Sequence, residues 1–144
     1  HMTKVERHKQ IYSFSDSKGF NVAKLESTIE FLDQHAGFRP EMIELSGWPD
    51  FEALEPTTMA SLKSLATKWN CELWVSAHTN GEMPTNDKGI PEVISRCLDD
   101  IEVLVALESE SDHVNLKFLK THGEPKNTGM NLQFDPKSML IRWR

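Results

Sequence analysis

Apolar positions along the chain change their spacing several times, and each change marks an element. Ile11, Tyr12 and Phe14 fall in a short run that predicts a strand over residues 10–15. The polar turn Asp16-Ser17-Lys18-Gly19 follows it. From Asn21, whose side chain can cap a helix, Leu25, Ile29 and Leu32 recur at helical spacing with Val22 and Phe31 on the flanks. That predicts a helix to about Ala36, closed by Gly37 with Pro40 just beyond. Residues 42–45 read as a short buried strand broken by Gly47, Pro49 and Asp50. Pro56, at a favoured first position, opens a second helix whose stripe is Met59, Leu62, Leu65, Ala66 and Trp69. Asn70 ends it, and residues 72–77 form the next strand around Trp74 and Val75.

A polar loop occupies residues 79–89, long enough to suggest a functional surface. Pro91 opens a third helix with Val93, Ile94 and Cys97 inward, and residues 101–107 are the most apolar strand. This alternation predicts parallel strands joined by right-handed crossovers. The rhythm then shifts. After a polar turn at 108–112, Val114, Leu116 and Phe118 alternate with Asn115 and Lys117, the mark of a half-exposed strand. A glycine-bounded link, residues 123–129, leads to Leu132-Gln133-Phe134, and Asp135-Pro136 turns the chain into residues 139–143. These last strands are expected to be antiparallel and joined by hairpins. The expected fold class is α/β, with a mostly parallel sheet flanked by helices and extended by C-terminal antiparallel strands. Trp69, Trp74 and Trp143 are expected mainly in the core. Trp48, beside Gly47 and Pro49 at a strand end, is expected to be the least enclosed of the four tryptophans, where it could stack on a base or a partner side chain.

Composition narrows the function. The chain has 144 residues, 38% hydrophobic and 26% charged, which suits one globular domain over residues 3–144 with no repeat or linker dividing it. The opening His1-Met2 has the look of a cloning remnant, so a fragment of a larger protein is expected. The net charge of −6 argues against a general grip on nucleic-acid phosphates. No apolar run approaches the roughly 20 residues that span a bilayer, and no secretory signal is visible, so no membrane partner is expected. Cys71 and Cys97 stand far apart among apolar neighbours and read as buried thiols of a reducing, cytoplasmic compartment.

In an open parallel sheet, ligands bind outside the carboxyl ends of the strands. Those ends are Asp16 and Ser17, then Ser46, Gly47 and Asp50, then Ser76, His78, Thr79 and Asn80. One reading pairs His78 with Asp50 or Asp16 as acid and base, although a histidine after a strand is more often a hydrogen-bonded loop residue. Lys120 and His122 form a second cluster, either a solubility device on a sheet edge or cations aimed at phosphate. No zinc-ligand spacing, Gly-x-Ser-x-Gly elbow or Gly-x-Gly-x-x-Gly turn is present. Nor is Gly-x-x-x-x-Gly-Lys-[Ser/Thr], the loop whose backbone N–H groups and lysine cradle a triphosphate. The isolated chain is therefore expected to hold no metal and no cofactor.

The tail segments Leu119-Lys120-Thr121-His122-Gly123-Glu124-Pro125 and Asn127-Thr128-Gly129-Met130-Asn131-Leu132-Gln133-Phe134-Asp135-Pro136 carry a further signal. They resemble the last strands of RecA-like ATPases, most of all the branch of replicative DnaB helicases and KaiC clock ATPases. Tyr12-Ser13-Phe14-Ser15-Asp16-Ser17 is similar to the strand after that family's P-loop helix. Pro40-Glu41-Met42-Ile43-Glu44-Leu45-Ser46 sits where its Walker B strand belongs, and Trp74-Val75-Ser76-Ala77-His78 is similar to the strand that senses the γ-phosphate. The resemblance spans roughly residues 10 to 142, and its tail motif is the specific part.

This resemblance implies a P-loop NTPase-type core and gives several residues roles. Asp16 or Ser17 takes the place of the catalytic carboxylate, Asp16 being shorter than that family's glutamate. Ser46 stands where the Mg²⁺-holding aspartate belongs, with Glu44 and Asp50 as substitutes, a degenerate Walker B. Lys120 keeps the tail lysine that reaches a neighbouring subunit's nucleotide, and His122 replaces the arginine beside it, without arginine's permanent charge. The implied function is the C-terminal portion of a RecA-like NTPase or a degenerate relative. It would be inactive alone and engaged in assembly or partner binding as a homo-oligomer or with another protein, with ATP and Mg²⁺ belonging to the parent. The alternative is a complete small α/β regulatory or protein-binding module whose contact surface is the loop at 79–89.

Overall fold

A computed structural model describes residues 9–11, 21–47, 54–76, 83–123 and 128–143. The chain divides into two compact units, residues 1–78 and 79–144.

In the first unit, helix α1 spans Val22–Ala36. Asn21 caps it, its Oδ1 accepting from the Lys24 N–H at 2.8 Å. Gly37 ends it at φ 60°, a left-handed turn that glycine adopts without penalty. Strand β1 is Met42–Ser46, helix α2 is Pro56–Trp69 and strand β2 is Glu72–Ser76. β1 and β2 pair in parallel, Met42 opposite Glu72 through Ser46 opposite Ser76. Ile29, Leu65 and Trp69 form the buried cluster, with Leu25, Ile43 and Leu73 packed against it. The inner face of the strand pair thus lies on the helices. The outer face carries Met42, Glu44 and Trp74, all exposed.

The second unit begins with a tight loop. Asn86 Oδ1 accepts from the Lys88 and Ile90 N–H groups at 2.9 and 3.0 Å, an Asx turn that draws Ile90 into full burial. Helix α3, Glu92–Ser95, and a 3₁₀ turn, Leu98–Asp100, follow. Four strands then form an antiparallel meander in the order β3 (Val103–Ser109), β4 (Val114–Thr121), β5 (Thr128–Asp135) and β6 (Leu140–Trp143). The β5–β6 turn is built on Asp135. Its carboxylate accepts from the Lys137 N–H at 2.8 Å, the Ser138 N–H at 3.3 Å and the Ser138 hydroxyl at 2.8 Å, and Arg142 lies 3.1 Å away.

Two expectations are corrected here. The sheet is not mostly parallel: a two-stranded parallel sheet and a separate four-stranded antiparallel sheet replace the single parallel sheet with a RecA-like, P-loop NTPase-type core. The reason lies in α3. A crossover helix must travel back along a strand, yet four helical residues rise only about 6 Å. The apolar run at 101–107 instead closes a local hairpin with β4 across a short turn. Trp74 and Trp143 are also not core: both are exposed, and only Trp69 among the described tryptophans is buried. The strand expected at 10–15 and Trp48 lie mostly or wholly outside the described residues. No helix among the described residues is long and apolar enough to cross a membrane.

Leu62 is 1% exposed, and Leu62→Ala is expected to lower unfolding stability by about 2–5 kcal/mol, read as a lower denaturant midpoint. Asp135 offers a pH test. Hydrogen bonds from Ser138 and from the Lys137 and Ser138 N–H groups hold its carboxyl below the usual carboxylate range. A depressed folded-state pKa contributes stability above the unfolded value, near 3.9, that is lost as pH falls through the folded one. In acid titrations of unfolding, Asp135→Asn is expected to lower stability at neutral pH and to flatten the fall in stability below about pH 4.

Candidate functional site

Three surfaces were expected to carry chemistry, and the structure distributes them as follows. Asp16, Asp50 and His78 lie outside the described residues. Ser46 and Ser76 close the carboxyl ends of β1 and β2, side by side, their hydroxyl oxygens 3.5 Å apart. Gly47 leaves the strand at φ 72°. Glu44 projects from the outer face opposite Trp74, whose indole N–H donates to Glu72 at 3.2 Å. This edge gathers two neutral hydroxyls, with one exposed carboxylate two residues back. Among the described residues, no cluster of three or more His, Cys, Asp or Glu side chains could hold a metal.

Lys120 and His122 sit at the end of β4 but diverge. Lys120 is 8% exposed, and its ammonium donates to the Leu98 carbonyl of the 3₁₀ turn at 2.7 Å. The pairing explains how it gets there. Leu104 opposes Lys120 while Val105 opposes Phe118, so Leu119 is an extra residue, a β-bulge. Without the bulge, Lys120 would share a face with Phe118. With it, Lys120 moves to the opposite face, beside the 3₁₀ turn. His122 is exposed at φ 33°, its Nδ1 3.6 Å from the Glu102 carboxylate. Both cysteines are free, and burial pushes each thiol up, most simply read as packing groups rather than nucleophiles.

The largest feature is one that the alternation pattern only hinted at. Directly opposed residues of an antiparallel pair share a face. Val105 opposes Phe118 and Leu107 opposes Leu116, while Val114 opposes Phe134, which in turn opposes Ile141; Leu132 opposes Trp143. One face of the meander is therefore apolar across all four strands. None of these nine side chains is fully buried, and Leu107, Ile141 and Trp143 are 69%, 61% and 79% exposed.

The other face is mixed: Leu104, Ala106 and Leu140 share it with polar side chains that pair with one another. Lys117 meets Glu108 at 2.6 Å, Gln133 donates to Asn115 at 3.3 Å, and Arg142 meets Asp135. His113 completes this network. Its Nδ1 lies 2.6 Å from Asp112 and its Nε2 2.9 Å from the Gln133 amide nitrogen, an arrangement that places the proton on Nδ1. The pair holds the Asp112 carboxyl below its usual range.

No protein-family model and no curated protein sequence matches the chain.

Lys120 provides the test of this geometry. Lys120→Met keeps the aliphatic stem but leaves the Leu98 carbonyl without its donor. Thermal or denaturant unfolding is expected to show a loss of about 1–3 kcal/mol. An unchanged stability would mean that the ammonium is not held as the structure places it.

Proposed function

We propose that this chain is an assembly or partner-binding module that does not turn over nucleotide by itself. The observation that carries the reading is the two-sidedness of the β3–β6 sheet. An antiparallel sheet normally sets one face on a core and one in water. Here the mixed face holds the ion pairs and the Lys120 clasp on the 3₁₀ turn, while the apolar face is left open. Open apolar areas beyond a few hundred Å² mark interaction surfaces in soluble proteins.

The tail's likeness to RecA-like ATPases supports reading the chain as the C-terminal portion, or a degenerate relative, of such an NTPase, with any ATP and Mg²⁺ belonging to the parent protein. Within these 144 residues no Gly-x-x-x-x-Gly-Lys-[Ser/Thr] loop is present to seat a triphosphate. Lys120, the residue that the likeness aims at a neighbour's phosphates, spends its charge on Leu98.

The reading has two arms and each is measurable. Isothermal titration with ATP and Mg²⁺, combined with a phosphate-release assay, is expected to give neither binding heat nor turnover; micromolar affinity with turnover would overturn it. At low micromolar protein, an apolar fluorescent dye is expected to bind the folded chain. The triple variant Leu107→Ser, Ile141→Ser, Trp143→Ser is expected to lose most of that signal. A folded wild-type chain that takes up no dye would mean that the face is covered, and the interface reading would fall.

A further inference from the structure

The open sheet face has a shape and a charge pattern that select its occupant. Four strands about 4.8 Å apart and some seven residues long present a face on the order of 450 Å². None of its nine residues is charged, so it carries no electrostatic code for a charged partner. A flat apolar sheet is matched by another such sheet, packed face to face about 10 Å away as in β-sandwiches. The most direct source of one is the same chain, in a two-fold arrangement that buries the same patch on both copies.

The rim chooses the axis. The β3–β4 turn carries Glu110 and Asp112, and the β5–β6 turn carries Lys137. Val114 opposes Phe134, so both turns stand at the same end of the sheet. Lys137 is close enough to Asp112 to lower its carboxyl pKa. A two-fold axis parallel to the strands lays β3 over the partner's β6 and keeps the two ends together. Each acidic turn then meets the other copy's Lys137. An axis across the strands would send these turns to opposite ends and lose the match.

We infer that the chain self-associates as a two-fold dimer through the apolar face of β3–β6, with β3 of one copy over β6 of the other. The inference rests on the assembly reading above and names its partner. Two such faces bury on the order of 900 Å², below the usual 1,200–2,000 Å² of stable complexes. The dimer is therefore reversible, with dissociation in the micromolar range or weaker.

Sedimentation of the full chain, from low micromolar to several hundred micromolar, is expected to show a monomer–dimer equilibrium. Leu107→Lys and Trp143→Lys alter exposed positions, so circular dichroism should be unchanged. Each buries an unpaired charge in the dimer and is expected to weaken it by about tenfold or more. Lys137→Glu should weaken it several-fold at low salt, and adding Glu110→Lys should restore it. When Leu107→Cys and Trp143→Cys chains are mixed and oxidised, the 107–143 disulfide should form faster than either symmetric one.

A chain that stays monomeric throughout while still binding dye would overturn this inference and leave the assembly reading standing. Loss of dye binding at low concentration would remove both. Open-ended aggregates in place of a dimer, or symmetric disulfides that form first, would overturn the two-fold geometry.

Discussion

The hairpin between β3 and β4 is the constraint on which the second unit depends. Its turn is short, and the Glu110 N–H donates to the His113 carbonyl at 2.8 Å to close it. Once Val103–Ser109 is paired along Val114–Thr121, one of its edges is committed. The pairing then propagates outward to β5 and β6, and the side chains divide into two populations. Lys117, Glu108, Asn115, Gln133, Asp135 and Arg142 find one another on one side. Leu104, Ala106 and Leu140 lie with them, and the larger apolar set gathers on the other. A hairpin needs little loop closure, whereas a parallel partner for β3 would need a crossover of a dozen residues or more that returns along the sheet. The interaction that orders this unit is thus also the one that exposes its hydrophobic face.

Elements were more legible in the amino-acid order than their assembly. Asn21, Gly37, Pro56 and Asn70 mark the helix ends because each solves a local backbone problem, capping or left-handed closure, that does not depend on distant residues. The Asp135-Pro136 turn was legible for the same reason. Sheet assembly depends on which strand edges meet, and apolar runs do not encode that. The run at 101–107 reads alike as a parallel core strand and as the first arm of a hairpin. What could have separated the two was the brevity of the helical signal after Pro91, which supplies only Val93, Ile94 and Cys97 to cover a sheet.

The candidate sites divide in the same way. Ser46 and Ser76 come together because β1 and β2 are parallel and in register, which strand order alone anticipates. Lys120 was read as a cation at a strand end, and alternation would place it beside Phe118. The extra residue Leu119 moves it to the opposite face, and no period-two reading contains that shift. Trp74 and Trp143 are expected in the core from the sequence and are exposed in the structure. Their exposure follows from sheet faces that no described helix covers.

The bulge at Leu119 also works as a frame marker in the chain's grammar. Before it, even-numbered residues of β4 belong to the apolar side; after it, Lys120 is even and belongs to the polar side. A chain that lost Leu119 would still set Lys120 on the polar side, because the residue next to Phe118 faces that way by simple alternation; it would lose the bulge and one buried leucine but keep the clasp on the 3₁₀ turn. Within β4 a one-residue deletion should therefore be better tolerated at this position than earlier in the strand, where every side chain between the deletion and the bulge would change faces.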